Sequence, residues 1–280
     1  MTISSSNAMP VRAFSSADDV NEQADFLVRF LDTLHRLPGI QGNHKRTVEL
    51  LEICEGYQLL DVGCGAGSYS HDVYPLVGEK GRIVGLDQSP EFIEIARRRA
   101  DALGMTIEYV VGDVNTMPFP DDSFDGSRVE RVLQYVDDPL VALCEMIRVT
   151  RPGGHIVASE IDWDGFVMNF PGLDRNLYRW TTATISDGAG NGWIGRELRN
   201  FFLDAGLEDV TTEGRVMINL DAGIFLDDLA GRSMILLAHR GQENGREDAE
   251  RLIADIEESS RNDRFFRSST MFTVSGRVPH

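Results

Sequence analysis

Between residues 57 and 161, segments with the pattern of a buried strand alternate with segments of helical periodicity. The strand-like segments are YQLLDVG (57–63), GRIVGLD (81–87), TIEYVVGD (106–113), FDGSRVERVL (124–133) and GGHIVASEI (153–161), and helical segments lie at 68–77, 89–104 and 139–150. Strands joined through helices pair in parallel, and the helices cover both faces of the sheet. The alternation therefore predicts an α/β fold with a doubly wound, mostly parallel sheet.

The sequence on either side of residues 57–161 predicts helices before this region, and further helices and strands after it. Apolar residues recur at helical spacing over 18–37, and LPGIQGN (37–43) is expected to break that helix before a second one at 44–54. Residues 162–195 show no clear period, so an irregular segment is expected there. The later patterns indicate a helix at 195–207, a strand at 208–220, helical structure at 221–262 and a strand at TMFTVSGRV (270–278). We predict one domain over 18–280, with a polar, flexible arm at 1–17.

Composition excludes several function classes. The net charge is −18 and no Lys/Arg stripe opposes it, so we expect no nucleic-acid partner. No run reaches the roughly 20 apolar residues of a membrane span, and the first residues lack the layout of a secretory signal. Cys54, Cys64 and Cys144 form no CxxC pair, which argues against a zinc site or a disulfide framework. We therefore expect a cytoplasmic protein without a membrane partner.

A glycine-rich loop, GCGAG (63–67), directly follows the first predicted strand. Glycine permits positive φ and lets a ligand lie against the backbone. The spacing G-x-G-x-G differs from the G-x-G-x-x-G of a dinucleotide fold. Ligands of open parallel sheets bind outside the carboxyl ends of the strands. We therefore predict a small-molecule site over this loop.

Three acidic residues, Asp61, Asp87 and Asp113, end three consecutive predicted strands. A carboxylate at Asp87 can accept hydrogen bonds from both hydroxyls of a ribose. Asp113 can accept one from the exocyclic amine of adenine. The pattern therefore favours a ligand that contains ribose and adenine.

The chain resembles the class I S-adenosylmethionine-dependent methyltransferases that act on small molecules, such as those of ubiquinone and menaquinone biosynthesis and bacterial natural-product relatives. The motifs that carry the resemblance are LLDVGCGAG (59–67), GLDQSPEFIEIAR (85–97), GDVNTMPFPDDSFD (112–125), RVLQYVDDP (131–139) and EMIRVTRPGGHIVASE (145–160), in family order. The resemblance implies a Rossmann-like, seven-stranded sheet whose last strand is antiparallel, with N-terminal helices and helical lid insertions. It also implies S-adenosylmethionine as cofactor and a cofactor-binding half at 43–160.

The resemblance assigns cofactor-binding roles to particular residues. The methionine moiety would lie against the glycine loop, the ribose and adenine against the next two strand ends, and the amino group near the fourth. The residues are Gly63, Cys64, Gly65 and Gly67, with Asp61 ordering the loop; Asp87 and Gln88; Asp113 and Val114; and Glu130 and Arg131. Gln41, from the N-terminal helices, is expected to close over the cofactor.

Candidate catalytic residues follow the fourth and fifth strands. Some natural-product relatives carry a histidine pair where this chain has Gln134 and Tyr135. Tyr135 can orient a hydroxyl or a water, or simply pack over the cofactor. Glu160 and Asp162, with Asp164, are candidates for a general base. They are also compatible with metal binding or with plain solvation, and we assign no metal site.

The acceptor is expected to bind under two lid insertions, 162–195 and 221–262, which are too long to be simple connections. Their candidate binding residues are Trp163, Phe166, Asn191, Trp193 and Phe225, which favour an apolar or aromatic acceptor. A satellite core under long loops would show the same residues. We expect methylation of a small metabolite at O, N or C, as in secondary metabolism. Cyclisation by an enzyme that binds S-adenosylmethionine is the alternative.

Overall fold

The computed structural model describes residues 20–280, and the arm predicted at 1–17 lies outside the described residues. The strands are β1 Gln58–Val62, β2 Arg82–Asp87, β3 Glu108–Val111, β4 Phe124–Glu130, β5 Thr150–Asn169, β6 Glu208–Asn219 and β7 Phe266–Arg277. The helices are α1 Val20–Arg36, α2 Pro38–Leu50, α3 Ser68–Val77, α4 Pro90–Leu103, α5 Pro139–Val149, α6 Arg175–Gly188, α7 Ile194–Asp204, α8 Gly231–Ala238 and α9 Gly245–Arg261. Among the described helices, none is both long enough and apolar enough to cross a membrane.

The seven strands form one sheet in the order β3-β2-β1-β4-β5-β7-β6. The pairs β2–β3, β1–β2, β1–β4 and β4–β5 are parallel. On the other side of β5, Gly153 N–H donates to Val278 O and Val278 N–H donates to Gly154 O, each at 2.8 Å. The start of β5 therefore meets the end of β7. This exchange makes β7 antiparallel to β5. The predicted mostly parallel, seven-stranded sheet is confirmed.

The chain divides into two compact units. The sheet unit comprises His35–Glu160, Ile194–Arg215 and Phe272–His280. The helical unit comprises Ile161–Trp193 and Val216–Met271, together with the described residues 20–34. The core of the sheet unit lies between β1, β4 and β5 and the helices α5 and α7, and it contains Leu60, Val129, Leu143, Ile156 and Leu198.

Local signals define the helix ends in the sheet unit. The Ser89 hydroxyl accepts a hydrogen bond from Phe92 N–H at 3.2 Å, Pro90 begins α4, and Gly104 ends it with φ +66°. The Asp138 carboxylate caps α5 by accepting from Leu140 N–H at 3.0 Å. Short polar side chains and proline are favoured at the start of a helix, and glycine is favoured just after its end. The bounds predicted for α3 and α4 agree with the structure within one residue.

The predicted break and second helix are present, but their predicted bounds of 37–43 and 44–54 were wrong, because α2 spans Pro38–Leu50. The interruption is Leu37 alone, with φ −63° and ψ 132°, and Pro38 starts α2. Proline suits the first turn because its missing N–H would have no partner there. Two glycines inside the helix are tolerated because Ile40 is completely buried and its packing compensates for their weak helix propensity.

The irregular segment predicted after residue 161 is mostly regular. β5 continues to Asn169, and α6 follows with the Asp174 carboxylate as its cap. The buried positions of α6 include Thr181 and Ser186, which a search for apolar periodicity does not recognise. The helical prediction for 221–262 is confirmed, with a π turn at Ile224–Asp228 before α8 and α9.

Candidate functional site

The loop between β1 and α3 requires glycine for two separate reasons. Gly63, Gly65 and Gly67 have φ of +66°, +52° and +82°, in the left-handed region that other residues rarely adopt. A Cβ on Gly63 would overlap the Val132 side chain, and one on Gly67 would overlap the Tyr109 hydroxyl. The loop therefore presents its backbone, without side chains at these positions, at the carboxyl end of β1.

Asp87, at the end of β2, holds this loop. Its Oδ2 accepts a hydrogen bond from Gly65 N–H and its Oδ1 accepts one from Ser89 N–H, both at 2.9 Å. Burial raises the pKa of the Asp87 carboxyl, although the two N–H donors oppose the change. A carboxylate has about four acceptor positions, so two remain for ligand hydroxyls.

Asp61, at the end of β1, supports the loop from inside the protein. Its completely buried carboxylate accepts hydrogen bonds from Arg128 Nη1 at 2.8 Å and from the Ser70 hydroxyl at 2.7 Å. Ser70 lies in the first turn of α3, so Asp61 connects that helix to β4. This arrangement agrees with a role in ordering the loop.

A buried ionic network surrounds Arg128 and extends to α2. The Arg128 guanidinium lies 3.8 Å from the Tyr69 ring centroid, and its Nη2 lies 3.0 Å from Glu130 Oε2. Glu130 also accepts a hydrogen bond from Asn43 Nδ2 at 3.1 Å and pairs with His44 Nε2 at 3.3 Å. Burial alone would raise the pKa of Glu130, but His44 and Arg128 hold it well below its usual range. Sequence reasoning identified Glu130 but missed Asn43 and His44, whose separation from it along the chain gives no local signal.

The turn after β4 brings Arg131, Tyr135 and Glu160 together. Arg131 has φ +57°, and its N–H donates to Ser159 O at 2.9 Å. Glu160 Oε1 accepts hydrogen bonds from Val132 N–H at 2.8 Å and from Leu133 N–H at 2.7 Å. Glu160 Oε2 is buried and has no hydrogen-bond partner among the described residues. Glu160 therefore fixes the turn with one oxygen and leaves the other available.

The acid–base groups of this turn have shifted pKa values. Burial raises the pKa of Glu160 to about 8, against the effect of its two N–H donors. Partial burial, and then the neighbouring Glu160 carboxyl, raises the pKa of Tyr135 above its ordinary value, although 38% of the residue is exposed. Near neutral pH, Glu160 is therefore mainly a neutral acid and Tyr135 a neutral phenol. Glu160 and Tyr135 thus both carry a proton beside the turn after β4.

The other predicted cofactor residues occupy several environments. Asp113 Oδ1 accepts hydrogen bonds from the backbone and side-chain nitrogens of Asn115 at 2.8 and 3.0 Å. Gln88 is exposed, and Val114 packs partly on the core. The Gln41 amide donates to His35 O at 2.7 Å, so this contact ties α2 to the end of α1.

Cys64 is a small residue in a tight position rather than a nucleophile. It is buried, and its N–H donates to Leu86 O at 3.0 Å. Burial first, and then the Asp61 and Asp87 carboxylates, raises the pKa of the thiol well above its usual range. A raised pKa disfavours the reactive thiolate.

The helical unit contains an aromatic column that includes three of the predicted acceptor residues. The Trp163 and Phe166 rings stack at 5.4 Å, and the Arg267 guanidinium lies 4.4 Å from the Phe166 centroid and 4.8 Å from the Phe225 centroid. Sequence reasoning missed Arg267. Among the other predicted residues, Asp162 is buried, and the Asn191 side chain accepts from the N–H of the half-exposed Trp193 at 3.0 Å.

The matching family model is named for the methyltransferase domain and covers residues 53–200. The chain belongs to the methyltransferase domain family. The match includes the glycine loop and the strand ends that carry Asp87, Asp113 and Glu130. It confirms the predicted class of S-adenosylmethionine-dependent methyltransferases and the predicted cofactor.

Individual relatives share this domain. An uncharacterized 37.1 kDa protein in transposon TN4556 of Streptomyces fradiae is 39% identical over 181 residues, which are 64% of this chain and 51% of that protein. The match thus spans about half the length of that relative. Demethylmenaquinone methyltransferase of Bacillus cereus is 29% identical over 184 residues, which are 59% of this chain and 76% of the relative.

A solved structure shows the same fold. It is phosphoethanolamine N-methyltransferase 2 of Haemonchus contortus in complex with S-adenosyl-L-methionine. The TM-score is 0.60 at 14% identity, over 96% of this chain and 60% of that one. At this identity the likeness concerns the methyltransferase fold alone.

Proposed function

We propose that this methyltransferase transfers the methyl group of S-adenosylmethionine to a small, mainly apolar or aromatic metabolite. The observation that carries the proposal is the pairing of Gly65 N–H with the Asp87 carboxylate at the adjoining carboxyl ends of β1 and β2. This hydrogen bond keeps the Asp87 carboxylate and the backbone of the glycine loop together at the carboxyl ends of the strands. Small-molecule ligands of this fold type bind at such an edge.

The residues of the sheet unit suit each part of the cofactor. The methionine moiety would lie on Gly63, Cys64, Gly65 and Gly67, where added Cβ atoms at Gly63 and Gly67 would meet other side chains. The remaining acceptor positions of Asp87 would take the ribose hydroxyls, beside Gln88. Asp113 and Val114 would flank the adenine. The backbone at Glu130 and Arg131 would face the amino group, and Gln41 would contribute from α2.

Bound S-adenosylmethionine supplies an electrophilic methyl group on a sulfonium. The chain would orient the acceptor, exclude water and accept any proton that the acceptor loses. Glu160 suits the last role only above its pKa of about 8, because below that pH it already holds a proton. Tyr135 would orient the acceptor or a water, and Asp162 is a further candidate base. The acceptor itself would contact Trp163, Phe166 and Phe225, and Asn191 and Trp193 are further candidates for this contact.

An assay with methyl-labelled S-adenosylmethionine tests the proposal. Purified protein is incubated with a panel of phenols, quinols and apolar acids, and mass spectrometry follows product and S-adenosylhomocysteine. We expect label in an acceptor and an equal amount of S-adenosylhomocysteine, both lost in Asp87→Ala. Conversion of an acceptor without S-adenosylhomocysteine would contradict methyl transfer and favour cyclisation. Failure of S-adenosylhomocysteine to bind would overturn the proposal altogether.

The pH dependence of the reaction tests the role of Glu160. If Glu160 accepts the proton of the acceptor, kcat/KM rises with pH to a plateau above about 8, and Glu160→Gln abolishes this rise. A profile that is the same in Glu160→Gln and in the parent would remove Glu160 from the proton transfer. Asp162→Asn, compared in the same way, tests the other carboxylate.

A further inference from the structure

Arg267, on β7 in the helical unit, is a buried cation without a counterion. Its exposed fraction is 8%, and no carboxylate among the described side chains pairs with it. Its Nε has no hydrogen-bond partner among the described residues, and burial lowers its pKa to about 10. A buried charge is costly unless it is paired. The faces of Phe166 and Phe225 offset only part of that cost.

An apolar cavity shares two of its wall residues with the stack around this cation. Phe166 and Phe225, the two rings on which Arg267 stacks, form part of its wall, and Met168, Tyr178, Met234 and Leu252 are among the other lining residues. The free space between these side chains is only about 20 Å³. A ligand larger than water must therefore move the walls, and methionine side chains adapt readily because they are long and unbranched.

The hydroxyl groups of the cavity wall are already engaged, so they do not compete with Arg267 for a polar ligand. The Tyr178 hydroxyl donates to Phe166 O at 2.8 Å and accepts from Met168 N–H at 3.1 Å. The Thr181 hydroxyl donates to Leu177 O at 2.8 Å, and the Thr182 hydroxyl donates to Tyr178 O at 3.0 Å. Among the described residues around the stack and the cavity, Arg267 thus retains an unused donor at Nε.

We propose that the helical unit binds a small, largely apolar carboxylic acid, with the carboxylate on the Arg267 guanidinium and the apolar part in the adjoining cavity. A guanidinium donates two parallel hydrogen bonds to a carboxylate, and its planar face remains free to stack between aromatic rings. A single cation suits one negative charge better than the two of a phosphate monoester. The proposal deepens the proposed function, on which it rests, because this acid would be the methyl acceptor.

Binding of two probes that differ in charge tests the proposal. The full chain is titrated, with detection by NMR, with 3-phenylpropanoate and with its neutral amide, 3-phenylpropanamide. We expect the acid to bind at least about tenfold more tightly, as charge-assisted hydrogen bonds predict. In Arg267→Gln the preference for the acid should fall below about twofold, and in Arg267→Lys it should persist in part because the charge remains.

A matched control separates this site from general charge effects. Arg264 is an exposed arginine three positions earlier, and Arg264→Gln should keep the full preference for the acid. S-Adenosylhomocysteine affinity, which depends on the sheet unit, should be unchanged in all three variants and shows that this unit folds. Unchanged affinity for the neutral amide shows that the helical unit folds as well. Equal affinity for acid and amide in the parent, no binding of either probe, or a preference that survives in Arg267→Gln would each overturn the inference. If S-adenosylhomocysteine binds in those cases, the proposed function stands and only the acidic acceptor is wrong.

Discussion

At the scale of single residues, Asp87 should control cofactor affinity. Asp87→Ala removes the acceptor expected for the ribose hydroxyls and also frees Gly65 N–H and Ser89 N–H. We expect S-adenosylhomocysteine to bind about 1.5–3 kcal/mol more weakly, the range for hydrogen bonds to a charged group. Isothermal calorimetry measures this directly. Asp101→Ala, an exposed acid on α4, is the matched control and should bind like the parent. Parental affinity in Asp87→Ala would place the ribose elsewhere.

Gly63 should be more sensitive to substitution than Gly56, although both have positive φ. Gly63→Ala meets an unfavourable φ of +66° and an overlap with the Val132 side chain, whereas Gly56, at φ +87°, has no heavy atom within 4 Å of an added Cβ. We expect Gly56→Ala to cost about 1–2 kcal/mol of unfolding free energy and Gly63→Ala roughly 1–3 kcal/mol more. Urea denaturation measures both, and Val132→Ala should restore part of the difference. Equal costs would show that the loop can move away from Val132.

At the scale of elements, Glu160 joins the end of β5 to the turn after β4 and makes this connection pH-dependent. Its folded pKa of about 8 lies above the ordinary glutamate value of 4.5, so the folded state binds the proton more tightly. This contribution to stability is complete below the unfolded pKa and is lost as pH rises through about 8. The pKa of the Asp87 carboxyl is also raised, whereas that of Glu130 is lowered. Comparison of the parent with Glu160→Gln is therefore needed to separate the contribution of Glu160 from those of Asp87 and Glu130.

Chemical denaturation across pH tests this connection. Between about pH 5 and pH 8 the parent should lose unfolding free energy relative to Glu160→Gln, at up to about 1.4 kcal/mol per pH unit for one proton. Glutamine keeps an oxygen for the N–H groups of Val132 and Leu133 and cannot ionise in this range. A constant difference between parent and variant across this range would show that Glu160 has an ordinary pKa.

At the scale of the whole molecule, the net charge of −18 should make stability dependent on salt. Like charges repel in the compact state, and salt screens the repulsion. We expect the melting temperature to rise when NaCl is increased from about 0.02 to about 0.2 M at pH 7.5. The effect should shrink near pH 5, close to the isoelectric point of about 4.7. A melting temperature that falls with salt at pH 7.5 would mean that the ion pairs outweigh the net repulsion.

Much of the fold was predictable from the sequence because its signals are local. Alternating strand and helix patterns predicted the parallel sheet, and Ser89, Pro90 and Gly104 gave the ends of α4 by their own cap geometry. Gly63, Gly65 and Gly67 marked the cofactor loop because positive φ is a property of the single residue. The bounds of the break before α2 and the irregular segment after residue 161 were predicted wrongly. In both places buried side chains, not local preference, decide the structure.

Only the tertiary structure decided which polar groups are buried and what they meet. The sequence by itself determined the alternation of strands and helices in the cofactor half, the glycine loop and the acids at the strand ends. It did not reveal the Arg128 network, the free oxygen of Glu160 or the stack of Arg267 between Phe166 and Phe225. These arrangements join residues that are far apart along the chain. Their charge states follow from burial and from spatial neighbours, and neither is encoded in residue spacing.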